Sequence, residues 1–279
     1  MSTWLRAVTA LRTARQPGVL VTISNVRGHA PRGAGAKMVV SASSTWATIG
    51  GGNVEVEAVT RARAMLAANA TSPESYTSNL SGKAPFQYAV QCCGGEVTVF
   101  LEPLPVVPSV AIFGVGHVGL ELARILARHD LDLHLVDTRD GMLSDVALAP
   151  LSDAVAAVHT HHVPMLPELV LGTFPPGTRI LVMTHDHAED LAIVDAALRC
   201  DHLGGIGLIG SSAKWARFRT ELLTSFPAEV VQRVEIPIGL PGITSSKDPA
   251  AIALSVAAGL LASFERDGAH QNALSSVDR

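Results

Sequence analysis

Residues 109–137 read SVAIFGVGHVGLELARILARHDLDLHLVD, and this stretch decides the fold. It opens on the apolar run Val110–Phe113 and passes through Gly114-Val115-Gly116-His117-Val118-Gly119. A helical pattern follows that lets Leu120, Leu122, Ile125 and Leu126 share one face. A second apolar run ends at Asp137, 18 residues beyond Gly119. Strand, glycine turn, helix, strand and acid in this register predict the dinucleotide-binding unit of a doubly wound parallel sheet. Gly114 permits the tight turn, Gly116 lets backbone approach a pyrophosphate, and Gly119 lets the helix pack close to the strand. The helix N-terminus offers unpaired N–H groups and a partial positive charge to an anion. Asp137 is placed to accept from a ribose hydroxyl. The same glycines can also serve packing alone, because a fold does not fix a function.

Working outward, 279 residues suit two modest domains or one large one. A 48% hydrophobic share is ample for a core, and 16% charged residues argue against disorder. Glu102–Pro108, EPLPVVP, reads as a linker. The expected division is therefore a small α/β domain over residues 1–104 and a Rossmann-like domain over 108–279. No apolar run approaches the ~18–20 residues that span a bilayer. Arg6, Arg12 and Arg15 interrupt the N-terminal apolar residues as no signal peptide would allow. Three cysteines, two of them adjacent, make no disulfide framework, so a reducing, cytoplasmic setting is expected. Residues 1–105 carry a net charge of +4 and the remainder −8. The first part thus suits an anionic ligand but is not basic enough for nucleic acid.

The N-terminal part begins with a helical pattern over 3–15 and a β-rich run Val19–Ile23. Asn25–Gly35, NVRGHAPRGAG, is a loop by composition, carrying Arg27, His29 and Arg32, with Lys37 opening the next strand. It is either a solvated turn or an anion-holding loop. Trp46–Ile49 reads as a short strand before Gly50-Gly51-Gly52, with Asn53 the expected cap of a helix to about Asn69. Glu55 and Glu57 suit its dipole. Residues 70–84 read as polar and broken. Gln91-Cys92-Cys93-Gly94-Gly95 lies between two β-like runs. The cysteines are either inert small hydrophobes or soft donors to a metal or a sulfur-bearing ligand.

Beyond Asp137, Val155–Val158 is a candidate strand, followed by His159-Thr160-His161-His162. The strand Arg179–Met183 leads into Thr184-His185-Asp186-His187-Ala188-Glu189-Asp190. This resembles the metallo-β-lactamase motif but departs from it at Glu189 and Asp190, and it lies in a Rossmann context, both of which argue against zinc hydrolysis. Ligands of doubly wound sheets lie outside the carboxyl ends of strands, where His185 and Asp186 fall; a plain helix cap is the alternative. Gly210-Ser211-Ser212, before a helix with Lys214, is another anion-compatible edge. Pro249 opens a last helix over Ala250–Glu265, suited to burial or a dimer contact, with a frayed tail after Gly268.

Taken together, GHAPRGAGAKMVV, TIGGGNVEVEA, QCCGGEVTVFLEPL, AIFGVGHVG, VMTHDHAEDL, GLIGSSAKWARF and IPIGLPGITSSKDPAAIALSVAA resemble the xanthine dehydrogenase accessory protein family, the XdhC/CoxI group. His29 stands where that family's loop more often has Ser. The resemblance implies a chaperone that binds the molybdenum cofactor, a molybdopterin, and hands it to an apo-enzyme of the xanthine dehydrogenase type. It also implies a cysteine desulfurase as the source of the terminal sulfur ligand, and a homodimer. Carried over, the cysteine motif falls on Cys92 and Cys93, which are expected to contact the molybdenum or its sulfur, with Gln91 beside them in the cofactor site; the basic residues Arg27, Arg32 and Lys37 suit the cofactor phosphate. Gly114, Gly116, Gly119, Asp137 and His185 would line the Rossmann site, where NAD(P) or another nucleotide can be held. Two other readings are an NAD(P)-dependent oxidoreductase, against which no Tyr-x-x-x-Lys pair occurs, and a scaffold that only brings desulfurase and apo-enzyme together.

Overall fold

A computed structural model describes residues 2–80, 95–240 and 247–276, with side chains to Phe264. It is mixed α/β, with a five-stranded antiparallel sheet and a six-stranded parallel one. The chain forms two compact units, residues 1–106 with 265–279, and 107–264. No helix among the described residues is long and apolar enough to cross a membrane.

In the first unit, α1 (Thr3–Thr13) precedes β1 (Gly18–Arg27), β2 (Lys37–Val40) and β3 (Thr45–Ala47). Then come α2 (Gly52–Ala67), β4 (Glu74–Asn79) and β5 (Glu96–Leu104), in the sheet order β3-β2-β1-β5-β4. Val19, Val21 and Ile23 alternate inward and meet Val97, Val99 and Leu101. Val54, Ala58, Ala62 and Met65, one stripe at helical spacing, bring α2 onto that face. Ala7 and Leu11 of α1 pack with Val39.

A β-bulge sits between Ile23 and Asn25 of β1, and Ser24 Oγ donates to Thr98 O (3.1 Å). The extra residue shifts the period-two alternation by one. Val26 turns to the core and Arg27, opposite Glu96, turns to solvent. Two expectations are corrected here. β4, ESYTSN, lies in the stretch read as broken; as an edge strand it buries little beyond Ser78 and so shows no apolar signal. The α2 cap is Gly51, not Asn53.

The second unit opens with β6 (Ser109–Phe113), α3 (His117–Leu126), β7 (Asp132–Asp137) and β8 (Ala157–His162). The chain then crosses back to β9 (Arg179–Val182), α4 (His187–Leu198), β10 (Ile206–Leu208), α5 (Ser212–Leu222), α6 (Ala228–Val231) and β11 (Val234–Glu235). The strand order β11-β10-β9-β6-β7-β8 is the doubly wound order, with its switch point between β6 and β9. Val110 and Ile112 face α3 and α7 (Pro249–Ser276), while Ala111 and Phe113 face α4 and α5. Both faces being covered explains the continuous apolar strands.

β8 starts two residues later than expected and takes in the His159–His162 run, which pairs with His134–Asp137 of β7. The tail expected to fray after Gly268 is helical to Ser276.

Candidate functional site

In the first unit, three motifs meet at one end of the sheet. A Cβ on Gly95 would lie 2.2 Å from His29 O and 2.7 Å from Arg27 O, so only glycine lets this backbone rest against the basic loop. Leu80 N–H donates to Gly95 O (2.8 Å). Gln91, Cys92 and Cys93 themselves lie outside the described residues. The third motif enters through Gly50, whose added Cβ would stand 3.0 Å from Pro31 Cβ and 3.4 Å from Arg32 Cγ.

The triple-glycine turn is already occupied by a carboxylate of the chain. Glu55 Oε2 accepts from Ile49 N–H (3.2 Å), Gly51 N–H (3.1 Å) and the Thr48 hydroxyl. Glu55 therefore takes the capping role expected of Asn53, reaching back from the first turn of α2. Among the described residues, Arg27, 77% exposed at its side chain and 3.6 Å from Glu96 Oε1, and Arg32 are the cationic groups left facing solvent at this end. Lys37 is directed elsewhere. Its ammonium donates to Thr22 Oγ1 (2.8 Å) and stands 5.6 Å from the Trp4 ring centre, toward α1.

In the second unit, the glycine turn and the β9 loop form the switch-point crevice. Gly114 has φ +94°, and a Cβ there would strike Met183 O at 2.4 Å. A Cβ on Gly119 would lie 2.1 Å from Gly114 O. These two glycines are required by packing. Gly116 is not: its nearest neighbour would be Arg139 Nη2 at 3.7 Å, which leaves the backbone open at the start of α3.

Asp137 is buried and fully engaged. Its carboxylate accepts from Val115 N–H (2.7 Å), Arg139 N–H (2.9 Å), Arg139 Nε (2.9 Å) and Arg139 Nη2 (2.8 Å). A carboxylate has about four acceptor positions, so none is left for a ribose hydroxyl while Arg139 stays in place. Burial pushes the Asp137 pKa up, but the bonds from Arg139 and Val115 outweigh it and hold the group below the usual carboxylate range.

Across the crevice, Thr138 Oγ1 donates to Glu189 Oε2 (3.1 Å). Burial, with the Asp137 and Asp190 carboxylates adding to it, raises the Glu189 pKa against the opposing effects of Thr138 and His185. Asp186 caps α4 through Ala188 N–H (2.6 Å) and Glu189 N–H (3.3 Å), the plainer of its two expected roles. His185 is exposed just beyond the carboxyl end of β9.

Sequence reasoning missed the pair beneath these loops. Asp190 is fully buried and ion-paired with Lys214, whose side chain is 8% exposed. Lys214 Nζ also donates to Ile209 O (3.0 Å), and Asp190 Oδ1 accepts from Thr184 N–H (3.0 Å) and Oγ1 (2.8 Å). The pair joins the ends of β9 and β10. A signal was present: Asp190 shares the helical stripe of Ile193, Val194 and Ala197, where a carboxylate needs a buried partner.

Cavities of about 280 Å³ beside Pro17, Met65 and Leu104, and about 530 Å³ beside Leu191, Asp195 and Leu222, involve neither cluster.

The family model of the XdhC Rossmann domain matches residues 110–260, more than half of the chain. The chain belongs to the XdhC family. The model of the XdhC and CoxI family matches residues 11–77, so both units of this XdhC chain are reached. The uncharacterized protein YqeB of Escherichia coli (strain K12) is 24% identical over 246 residues, 88% of this chain. The alignment covers 43% of YqeB, so the chain spans less than half the length of that curated relative. A crystal structure of a Bacillus halodurans protein described as a xanthine dehydrogenase is similar, with 18% identity, 95% of this chain and 96% of that one covered, and a TM-score of 0.48. E. coli tRNA N6-threonylcarbamoyladenosine dehydratase has 12% identity, 58% and 88% coverage, and a TM-score of 0.43.

Proposed function

We propose that this XdhC-family chain is a carrier of molybdenum cofactor that holds a molybdopterin during sulfuration and passes it to an apo-enzyme of the xanthine dehydrogenase type. Family membership supports a role in xanthine dehydrogenase maturation. The observation that carries the finer reading is the meeting of the Arg27–Arg32 loop, the Gly50 turn and Gly95, the glycine that closes the Cys-Cys-Gly-Gly motif. Cofactor phosphate would bind at Arg27 and Arg32, whose guanidinium forks suit it, and not at the glycine turn, which Glu55 fills. Cys92 and Cys93 would supply soft thiolates to the molybdenum or its sulfur. A cysteine desulfurase and a second copy of the chain are the partners this task calls for, and the chain acts as a carrier, not a catalyst.

The test is anaerobic equilibrium binding of isolated molybdenum cofactor to the purified chain. Near-stoichiometric binding by the wild type, lost in Cys92→Ala/Cys93→Ala and weakened in Arg27→Ala/Arg32→Ala, is the expected result. Absence of binding by the wild type refutes the carrier reading and leaves the scaffold or the nicotinamide enzyme. Binding unchanged in the cysteine variant refutes the thiolate assignment.

A further inference from the structure

The histidine run in β8 belongs to neither cluster above, and the sheet gives it company. His134 of β7 is in register with His159 of β8, and His161 stands two residues further along the same strand face. The His134 and His159 rings stack with centres 4.7 Å apart, and His134 and His161 lie 5.3 Å apart. His134 Nδ1 and His161 Nε2 approach to 3.1 Å. Phe174 packs against both of these rings, at 4.9 and 5.5 Å.

Two Zn–N bonds of ~2.0–2.1 Å meeting near the tetrahedral angle hold their nitrogens about 3.3 Å apart. The His134–His161 separation of 3.1 Å is close to that; as the rings stand it is a hydrogen bond from one ring's N–H to the other's lone pair, and a metal ion would take the place of that proton. As the side chains stand, no three such donors among the described residues converge to hold a metal ion. His159 instead turns its Nε2 to Asp132 Oδ1, 3.7 Å away, and its side chain is 48% exposed. That exposure leaves the ring room to rotate.

We propose that His134, His161 and, after rotation of its ring, His159 form a binding site for one divalent transition-metal ion of the zinc type. Two ligands from alternate residues of one strand and a third from its neighbour give a three-histidine face, with the remaining position open to water. The Phe174 ring keeps the far side of the imidazoles dry. Asp132 is placed to orient His159 as an outer partner. The site lies wholly in the second unit and does not depend on the carrier reading.

The experiment uses the full chain, free of any affinity tag and stripped of metal, carrying Cys92→Ser and Cys93→Ser so that those thiolates contribute nothing. Titration with Co²⁺ is followed by visible absorption, then reversed with Zn²⁺. The expected result is one equivalent of Co²⁺ with the intense bands of a four-coordinate site. Affinity should drop at least tenfold in His161→Gln and in His159→Gln, but not in the control His129→Gln. Circular dichroism checks each fold, and exposed His159 decides the matter alone if His161→Gln fails to fold. No one-equivalent site, or a site that survives in the folded histidine variants, overturns the proposal. Cofactor carriage is read separately, on the protein with its cysteines intact.

Discussion

Replacing Lys214 by Met should unfold the second unit far more readily than its place in the crevice wall suggests. The substitution keeps the length of the aliphatic stem but removes the ammonium that pairs with Asp190 and donates to Ile209 O. Asp190 is fully buried, with Thr184 N–H and Oγ1 as its remaining donors. Removing one partner of a buried pair strands the other charge, at a cost of about 3–5 kcal/mol. With a urea m-value of about 2 kcal/mol/M, the midpoint should drop by about 2 M. Asp190→Asn/Lys214→Met removes both charges, and the amide oxygen can still accept from Thr184. The double variant should therefore be more stable than Lys214→Met by about 1.5 kcal/mol or more. Trp215 lies in the second unit, while Trp4 and Trp46 lie in the first. Urea unfolding followed by Trp215 fluorescence, in a background with the other two changed to Phe, reads this unit alone. A Lys214→Met cost below about 1 kcal/mol, or a double variant that is simply additive, would refute the reasoning.

Three further outcomes follow from the crevice. Gly119→Ala should destabilise the second unit by about 3 kcal/mol or more, because its Cβ meets backbone at 2.1 Å, whereas Gly116→Ala should fold as the wild type does; comparison of their urea midpoints checks both. Arg139→Ala releases three of the four acceptor positions of Asp137 if the loop relaxes and two if its N–H stays, so NADH, followed by its fluorescence, should bind about tenfold more tightly than to the wild type. Weaker binding would place Arg139 among the ligand contacts, and unchanged binding would refute a role for the freed Asp137 carboxylate in holding the nucleotide. The Asp137 pKa is depressed on folding, so its contribution to stability is complete above the unfolded value of about 3.9 and is lost as pH falls through the folded one. The wild type should lose stability below about pH 4 more steeply than Arg139→Ala, in urea titrations across that range.

Much of the Rossmann unit was legible because local rules and tertiary demands coincide there. The Gly114–Gly119 spacing, the apolar strands and Asp137 all sit where the strand–turn–helix pattern puts them. The edge strands were harder. β4 is polar and β8 is half histidine, because an edge of a sheet is held by backbone pairing on one side and needs little apolar surface. The candidate site of the first unit was legible as separate motifs. The contacts between them were not, since they depend on a bulge at Ser24 and on backbone meeting backbone at Gly95.

The sequence by itself determined the doubly wound parallel sheet and the glycine turn. These follow from period, spacing and residue type, which are local properties of a chain. Only the tertiary structure decided which polar groups are already satisfied, whether by near neighbours in sequence or by distant ones. Asp137 is closed by Arg139 and Val115, the glycine turn at residues 50–52 is filled by Glu55, Lys37 is drawn to Thr22, and Asp190 is paired with Lys214. Hydrogen bonding and ion pairing saturate within about 3 Å, and residue spacing carries no record of which neighbour arrives there first.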